Sequence, residues 1–125
     1  PKTTRTTPIA PTSTTTTAPS RQAEMTAFLT APDRPRAVFC WSDLDAIPLV
    51  NTAFQLGVRV PEDLAIIGYD NNPVAALPLI DLTSMDQDGH RLGQLSAEAI
   101  LSRINGRKVA EHILIEPKLV VRGSI

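Results

Sequence analysis

Cysteine is almost absent from this sequence of 125 residues. The single cysteine, Cys40, has no partner for an internal disulfide. It lies inside an apolar run, where a small, buried and unreactive side chain is the usual interpretation. An excess of charge is also missing, because 12 lysine and arginine residues stand against 13 aspartate and glutamate residues. Without a basic surface to hold a phosphate backbone, direct binding of nucleic acid by this segment is not expected.

Long apolar runs are missing as well. No segment approaches the roughly 20 consecutive apolar residues that a membrane-spanning helix needs. The first residues also lack the charged and then apolar pattern of a secretory signal. We therefore expect a cytoplasmic protein that makes no contact with a membrane.

Patterns typical of metal sites and catalysis are sparse. His90 and His112 lack an HxxxH or a paired Cys/His spacing, so they are expected to be surface residues. Gly68 is a lone glycine and not part of a glycine-rich phosphate loop. Two carboxylate pairs stand where helices are predicted to begin, and the helix dipole explains them without acid-base chemistry: Asp43 with Asp45, and Asp86 with Asp88. We predict no metal, no cofactor and no catalytic residue.

The composition changes sharply near residue 20. Residues 1–20 are dominated by threonine and proline, including a run from Thr14 to Thr17. Such a segment buries too little apolar surface to offset the entropy lost on ordering, so it is predicted to be disordered or a foreign leader. The folded domain is predicted to cover residues 21–125, starting with an amphipathic helix from Arg21 to Leu29 or Thr30 that covers a sheet.

The next segment alternates strand and helix. Residues 37–41 form a continuous apolar run, which is typical of a strand buried on both faces, and residues 64–68 form a second one. Between them, Ile47, Val50 and Phe54 recur at helical spacing, and Gly57 suits the left-handed cap after a helix. Strand, helix and strand in this order predict a parallel pair joined by a crossover.

The rest of the chain continues in the same style. After a loop rich in Asp, Asn and Pro, residues 82–85 are predicted to be extended, and a long helix is predicted over about residues 89–105, closed by Gly106. Its apolar positions cover more than one face, so the helix is expected to bury more surface than a peripheral helix does. Two strand-like runs follow, at residues 112–115 and 119–121. The predicted class is α/β, with a parallel sheet flanked by helices.

Polar residues follow both predicted parallel strands. Ligands of such sheets bind beyond the carboxyl ends of the strands, where loops present polar groups. The first strand is followed by Trp41, Ser42 and Asp43, and the second by Asp70. A carboxylate there can accept hydrogen bonds from ligand hydroxyls, and Trp41 could lie against a sugar face or a planar base. Other roles remain open for each residue: a core or interface tryptophan, a plain helix cap at residues 42 and 43, and an Asx turn at residues 70–72.

Three ordered motifs in residues 37–125 resemble a known family. The run SDLDAIPLVNTAFQLGVRVPEDLAIIGYDN is followed by LTSMDQDGHRLGQLSAEAIL and by the closing PKLVVRGSI. Together they resemble the final third of the lactose-repressor/galactose-repressor family, including its Asn-Asp pair, its Gly-x-x-Val-Pro-x-Asp turn and its Val-Gly-Phe/Tyr-Asp strand end. The resemblance covers about the last seventy per cent of the chain.

The resemblance implies a fold like that of the periplasmic binding proteins, with two α/β lobes around an effector cleft. It also implies a dimer, DNA binding through a separate amino-terminal headpiece that this sequence lacks, and contact of Asp70 with the effector. The sequence departs from the family at three positions. Ser42 stands where the family often has a ligand-contacting asparagine, Trp41 is bulkier than the usual residue, and Pro48 lies early in a helix whose first turns it could distort.

An apolar loop suggests where the dimer forms. Residues 74–78 are too apolar for a solvated loop and resemble the dimer contact of the family, although the loop could instead fold onto its own core. The predicted interface residues lie on the helix after the first strand and on this loop: Leu49, Val50, Phe54, Val74 and Leu77.

These features favour a ligand-sensing and dimerising fragment of a transcription regulator of the repressor type, which would respond to a sugar or a nucleobase-like molecule. The alternative is a substrate-binding protein of a sugar uptake system, which shares the fold. An α/β enzyme or phospho-receiver using Asp70 or Asp43 would need a lysine or a base at a further strand end, and none is evident.

Overall fold

The computed structural model describes residues 18–125. Its elements, in chain order, are α1 (Ala18–Thr30), β1 (Ala37–Phe39), α2 (Asp43–Gln55), β2 (Ala65–Tyr69), a short 3-10 helix (Pro73–Ala76), β3 (Thr83–Asp86), α3 (Gly89–Ile104) and β4 (Lys118–Val120). The strands form one sheet in the order β1-β2-β3-β4. The first three strands are parallel, and β4 runs antiparallel to β3. The predicted α/β class and the parallel pairing of β1 with β2 are confirmed.

The first helix begins earlier than predicted. It starts at Ala18, so residues 18–20 belong to α1 and not to the leader. Pro19 is compatible with this start because the first turn of a helix needs no backbone N–H from proline. The rest of the predicted disordered leader, residues 1–17, lies outside the described residues.

Helices α1 and α2 cover one face of the sheet. Leu29 of α1, Leu49 of α2 and Ile66 of β2 are all buried in one apolar cluster with Leu64 and Leu82. Along β2, Ile66 and Gly68 are buried, whereas the residues between them are half-buried. The alternation follows from the pleat of a strand, which points successive side chains to opposite faces.

The prediction that the first strand is buried on both faces is wrong. β1 spans three residues at the edge of the described sheet, where it pairs with β2 alone. Phe39 is 59% exposed, and Trp41 lies beyond the end of the strand. An apolar run indicates that a strand is suited to burial, but burial also requires elements on both sides of the sheet.

Helix α2 begins at the predicted cap residues and ends before Gly57, as predicted. It runs without a break through Pro48, so the proline does not interrupt the helix. Gly57 adopts a φ of 70°, which is the left-handed conformation expected of a glycine after a helix. Its N–H donates to the carbonyl of Phe54, and the N–H of Val58 donates to that of Ala53.

Helix α3 matches its predicted bounds. The prediction that it buries more surface than a peripheral helix is wrong for the described part of the chain, because none of its residues is buried. The predicted strand at residues 112–115 is not present as a strand, because this segment pairs with no strand among residues 18–125. Instead, Ile113 and Ile115 lie beside Leu92 and Leu95 of α3 around a shallow groove. The final strand is Lys118–Val120, shifted by one residue from the prediction.

Ser124, which follows β4, is hydrogen-bonded to two strands of the sheet. Ser124 is buried, and its hydroxyl accepts from the backbone N–H of Thr83 at 2.8 Å and donates to the carbonyl of Ile66. The backbone N–H of Ile66 donates to the Ser124 carbonyl at 2.9 Å. These bonds tie residues after β4 to both β2 and β3. Across residues 18–125, no helix combines the length and apolar character needed to cross a membrane.

Candidate functional site

The polar residues predicted at the strand ends meet at one edge of the sheet. β1 ends at Phe39 and its parallel neighbour β2 at Tyr69, with Phe39 paired to Ile67. Trp41 is 79% exposed beyond this edge, Ser42 is half-buried, and Asp70 is exposed. Three of the four predicted ligand residues therefore present surface at the carboxyl ends of the strands.

Asp70 is held at the turn that ends β2. Its φ is 102° and that of Asn71 is 48°, so two consecutive residues with side chains adopt left-handed conformations. Such conformations are costly outside glycine and concentrate at functional sites. The backbone N–H of Asp70 donates to the Met85 carbonyl at 2.9 Å, which fixes the turn against β3.

Gln87 is a member of this site that the residue-by-residue interpretation of the sequence missed. Its side-chain Nε2 donates to Oδ1 of Asp70 at 2.8 Å. The signal was its position, since Gln87 directly follows β3 and β3 lies parallel to β2. A polar residue at the end of a third parallel strand reaches the same edge of the sheet as those after the first two.

Asn71 connects the site to the strands behind it. Its Nδ2 donates to Asp86 Oδ2 at 3.0 Å, and its Oδ1 accepts from Arg122 Nη2 at 2.7 Å. Arg122 also donates through Nη1 to the Leu82 carbonyl at 2.6 Å. The hydrogen bonds that Asp86 accepts from the backbone N–H of Asp88 and from Asn71 hold the pKa of Asp86 below its usual range. Asp86 is therefore a negative carboxylate at neutral pH, and it directly follows Met85, which is paired with Tyr69 of β2.

Asp43 does not lie on the surface of this edge. Its side chain is fully buried, Oδ2 accepts from the backbone N–H of Asn72, and Oδ1 accepts from the hydroxyl of Ser84, both at 2.6 Å. Both oxygens are thus occupied within the chain. The sequence could not show this burial, because it depends on the packing of α2 against Gly68 of β2, which leaves room for the carboxyl group.

Ser42 caps α2 through its backbone and not through its side chain. Its carbonyl accepts from the N–H groups of Asp45 and Ala46, whereas its hydroxyl makes no capping bond and donates to Asp45 Oδ2 at 3.3 Å. Asp45 also pairs with Arg21 of α1 at 3.1 Å. The Ser42 hydroxyl is therefore not required by the helix start.

The predicted interface residues differ in their exposure. Leu49 is only 2% exposed and belongs to the core of this chain, so it offers no surface to a second copy. Val50 is half-buried. Phe54, Val74 and Leu77 are exposed, by 83%, 44% and 51% of their surface. The sequence missed this difference because helical spacing identifies an apolar stripe but not its middle and its margin.

The remaining candidates for chemistry are accounted for. Cys40 is buried, as predicted, and burial, with smaller contributions from Asp45 and Asp43, raises the pKa of its thiol to about 12. A protonated, buried thiol is unreactive. His90 and His112 are exposed. Within residues 18–125, no group of three or more His, Cys, Asp and Glu side chains is arranged to hold a metal ion.

Comparison with known proteins places this chain in a family. A family model for the periplasmic binding protein-like domain matches residues 3–125. The HTH-type transcriptional repressor PurR of Proteus mirabilis is 42% identical over 102 residues, which cover 81% of this chain and 30% of that protein. The repressor of the same name from Photobacterium profundum is 36% identical over 99 residues, with 78% and 30% covered.

Solved structures agree with the sequence relatives. A LacI-family transcriptional regulatory protein from Corynebacterium glutamicum superposes with a TM-score of 0.71 at 36% identity, covering 84% of this chain and 41% of that one. A LacI-family transcriptional regulator from Lactobacillus casei with bound sucrose gives a TM-score of 0.72 at 32% identity, with 88% and 41% covered. The chain spans about 30% of the length of the curated relatives above. It belongs to the lactose-repressor/galactose-repressor family and corresponds to the carboxy-terminal effector-binding region of that family.

Proposed function

We propose that this chain is the effector-sensing and dimerising part of a DNA-binding transcription regulator of the repressor type. The observation that carries the proposal is the exposed Asp70 carboxylate at the carboxyl end of β2, held in a left-handed turn beside Gln87. This is the position at which open α/β sheets bind ligands. The proposed role is binding and not catalysis.

The chemistry of the site favours a ligand rich in hydrogen-bond donors. Asp70 supplies an acceptor, Gln87 supplies both a donor and an acceptor, and Ser42 has a hydroxyl that its helix does not need. A sugar offers several hydroxyl donors to such a surface, and exposed Trp41 offers an apolar ring for the face of a sugar or a nucleobase. A related regulator from Lactobacillus casei holds sucrose in one structure and glucose in another, which supports a sugar as the first ligand to test.

The partners follow from the same proposal. The sensing region would dimerise through exposed Phe54, Val74 and Leu77, with Val50 at the margin. DNA would be bound by a separate headpiece of the full-length regulator, in keeping with the HTH-type name of the repressor relatives. A regulator of this kind works in the cytoplasm, where its operator is.

The test is substitution of Asp70 in the full-length regulator. Asp70→Ala should weaken binding of the effector by about 1.5 to 3 kcal/mol, which is typical of a hydrogen bond to a charged group. Asp33→Ala provides the matched control, because Asp33 is an exposed aspartate in the loop before β1. Glucose and sucrose should be titrated by calorimetry, and release of operator DNA should be followed in parallel. Unchanged effector affinity in the Asp70→Ala variant would contradict the proposal. A full-length protein that binds sugar but binds no operator DNA would also contradict it.

A further inference from the structure

Three consecutive backbone amides at the end of β2 are each anchored to a different acceptor. The N–H of Asp70 donates to the Met85 carbonyl at 2.9 Å. That of Asn71 donates to the hydroxyl oxygen of Ser84 at 3.0 Å, and that of Asn72 to Oδ2 of Asp43 at 2.6 Å. The loop that carries Asp70 is therefore held by one backbone hydrogen bond at each of residues 70–72.

The acceptors for Asn71 and Asn72 depend on each other. The Ser84 hydroxyl has one hydrogen, and its oxygen accepts from Asn71, so its hydrogen is donated to Oδ1 of Asp43. Asp43 and Ser84 are both fully buried and face no solvent. Removal of either side chain would leave the other with an unpaired buried polar group.

The fold makes room for this arrangement. A Cβ at Gly68 would overlap Oδ1 of Asp43, so only glycine lets the carboxyl group lie against β2. Asp43 is also the first residue of α2, where a carboxylate interacts favourably with the helix dipole. The same side chain thus joins the start of α2, the middle strands and the loop.

We propose that Asp43, acting through Ser84 and Asn72, is a positioning residue that holds the loop 70–72, in which Asp70 and Asn71 have positive φ, and so presents Asp70 to the effector. The inference rests on the proposed function, because the position of this loop matters to binding only if Asp70 contacts a ligand. This role differs from the predicted direct contact of Asp43 with the effector. The carboxyl group of Asp43 is buried and both of its oxygens accept hydrogen bonds, so it cannot contact a ligand while the loop stays in place.

Loop order can be measured without an effector by amide hydrogen exchange of the full-length regulator, followed by mass spectrometry at single-residue resolution. Ser84→Ala should speed exchange at Asn71 and Asn72 by about tenfold or more relative to amides of α2, since each loses an acceptor or its support. Ser124→Ala is the matched control. This substitution also removes one buried hydroxyl with two hydrogen bonds. The Ser124 hydroxyl, however, bonds to Thr83 and Ile66 and not to the loop.

The two variants should give reciprocal patterns. Ser124→Ala should speed exchange at Thr83 and leave Asn71 and Asn72 protected, even if both variants lower the melting temperature equally. Asp43→Asn is the second variant, for use if Ser84→Ala fails to fold. It keeps the volume and should loosen the loop by a smaller factor, because an amide can still accept from Asn72. Equal exchange at Asn71 and Asn72 in the Ser84→Ala and Ser124→Ala chains would overturn the inference, whatever Asp70→Ala does to effector binding.

Discussion

Gly68 illustrates how one missing side chain supports the proposed site. A Cβ at this position would overlap Oδ1 of Asp43 and would lie 3.0 Å from Cδ2 of Leu82. We expect Gly68→Ala to lower the free energy of unfolding by about 1 to 3 kcal/mol, as overpacking of a core does. The measurement is urea denaturation.

Gly93 provides the control for Gly68. It lies within α3, and a Cβ there would meet no atom within 4 Å. Gly93→Ala should therefore stabilise the chain by about 0.5 to 1 kcal/mol, because alanine loses less conformational entropy in a helix. If Gly68→Ala and Gly93→Ala changed the free energy of unfolding in the same direction, the tight packing of Asp43 against Gly68 would not explain the effect of Gly68→Ala.

Asp63 makes the turn before β2 sensitive to acid. Side-chain hydrogen bonds from Arg59, at 2.8 Å and 2.6 Å, and one from its backbone N–H, at 3.0 Å, hold the pKa of Asp63 well below its usual range. A carboxyl group whose pKa is lower in the folded chain than its unfolded value of about 3.9 stabilises the fold above that value. The stabilisation is lost as the pH falls through the folded pKa.

Asp63→Asn should therefore reduce stability near neutral pH and approach the stability of the parent chain in strong acid. Urea denaturation over a pH series measures the difference. Glu62→Gln removes the same charge from the neighbouring exposed residue and should leave the shape of the pH profile unchanged. Profiles of the Asp63→Asn and parent chains that stay parallel down to strong acid would contradict this role of Asp63.

At the scale of one element, α2 has one face in the core and exposed apolar residues outside that face. Leu49 is 2% exposed and Phe54 is 83% exposed on the same helix. Leu49→Ala should lower the free energy of unfolding by about 2 to 5 kcal/mol through the cavity it leaves. Phe54→Ala should leave unfolding nearly unchanged but weaken dimerisation of the full-length regulator by more than about 1 kcal/mol, as loss of a central aromatic anchor does. Sedimentation measures the second effect, and a regulator that is monomeric at micromolar concentration would exclude the interface.

Elements defined by local patterns were predictable from the sequence. Helical spacing and Gly57 predicted α2, and two short apolar runs predicted a parallel pair that β1 and β2 confirm. The exposure of β1 and the missing strand at residues 112–115 were not predictable, because both depend on which elements lie alongside. Of the candidate site, position after a strand identified Asp70, Trp41 and Ser42. The burial of Asp43 arises from its contacts with residues 29 and 41 positions away, which no local pattern reports.

At the scale of the whole molecule, the described part of the chain offers one wall of the proposed binding site. The strand-end edge with Asp70 and Trp41 is open, and α3 buries no residue along its length. Ile100, Leu101 and Ile104 of that helix are exposed by more than half of their surface. From the family resemblance, we expect this helix to belong to the other lobe of the cleft, which the chain enters after β3 and leaves before β4. The relatives above are about three times as long as the matched segment, so the remaining surface of both lobes is expected to come from sequence outside this chain.

The 125-residue chain alone is therefore expected to be marginally stable and to lack a competent effector cleft. Exposed apolar surface forfeits about 25 cal/mol for each square ångström left in water, so the bare face of α3 should drive self-association. A pocket buries most of the surface of its ligand, whereas a ligand in contact with one wall keeps much of its surface in water. Addition of glucose or sucrose should not raise the thermal midpoint of the isolated chain, whereas a sugar that the full-length regulator binds should raise the midpoint of that protein. Ile104→Lys should reduce self-association without lowering the midpoint, since Ile104 is 74% exposed. A cooperative, monomeric transition of the isolated chain whose midpoint rises with sugar would show that these residues form a complete site by themselves.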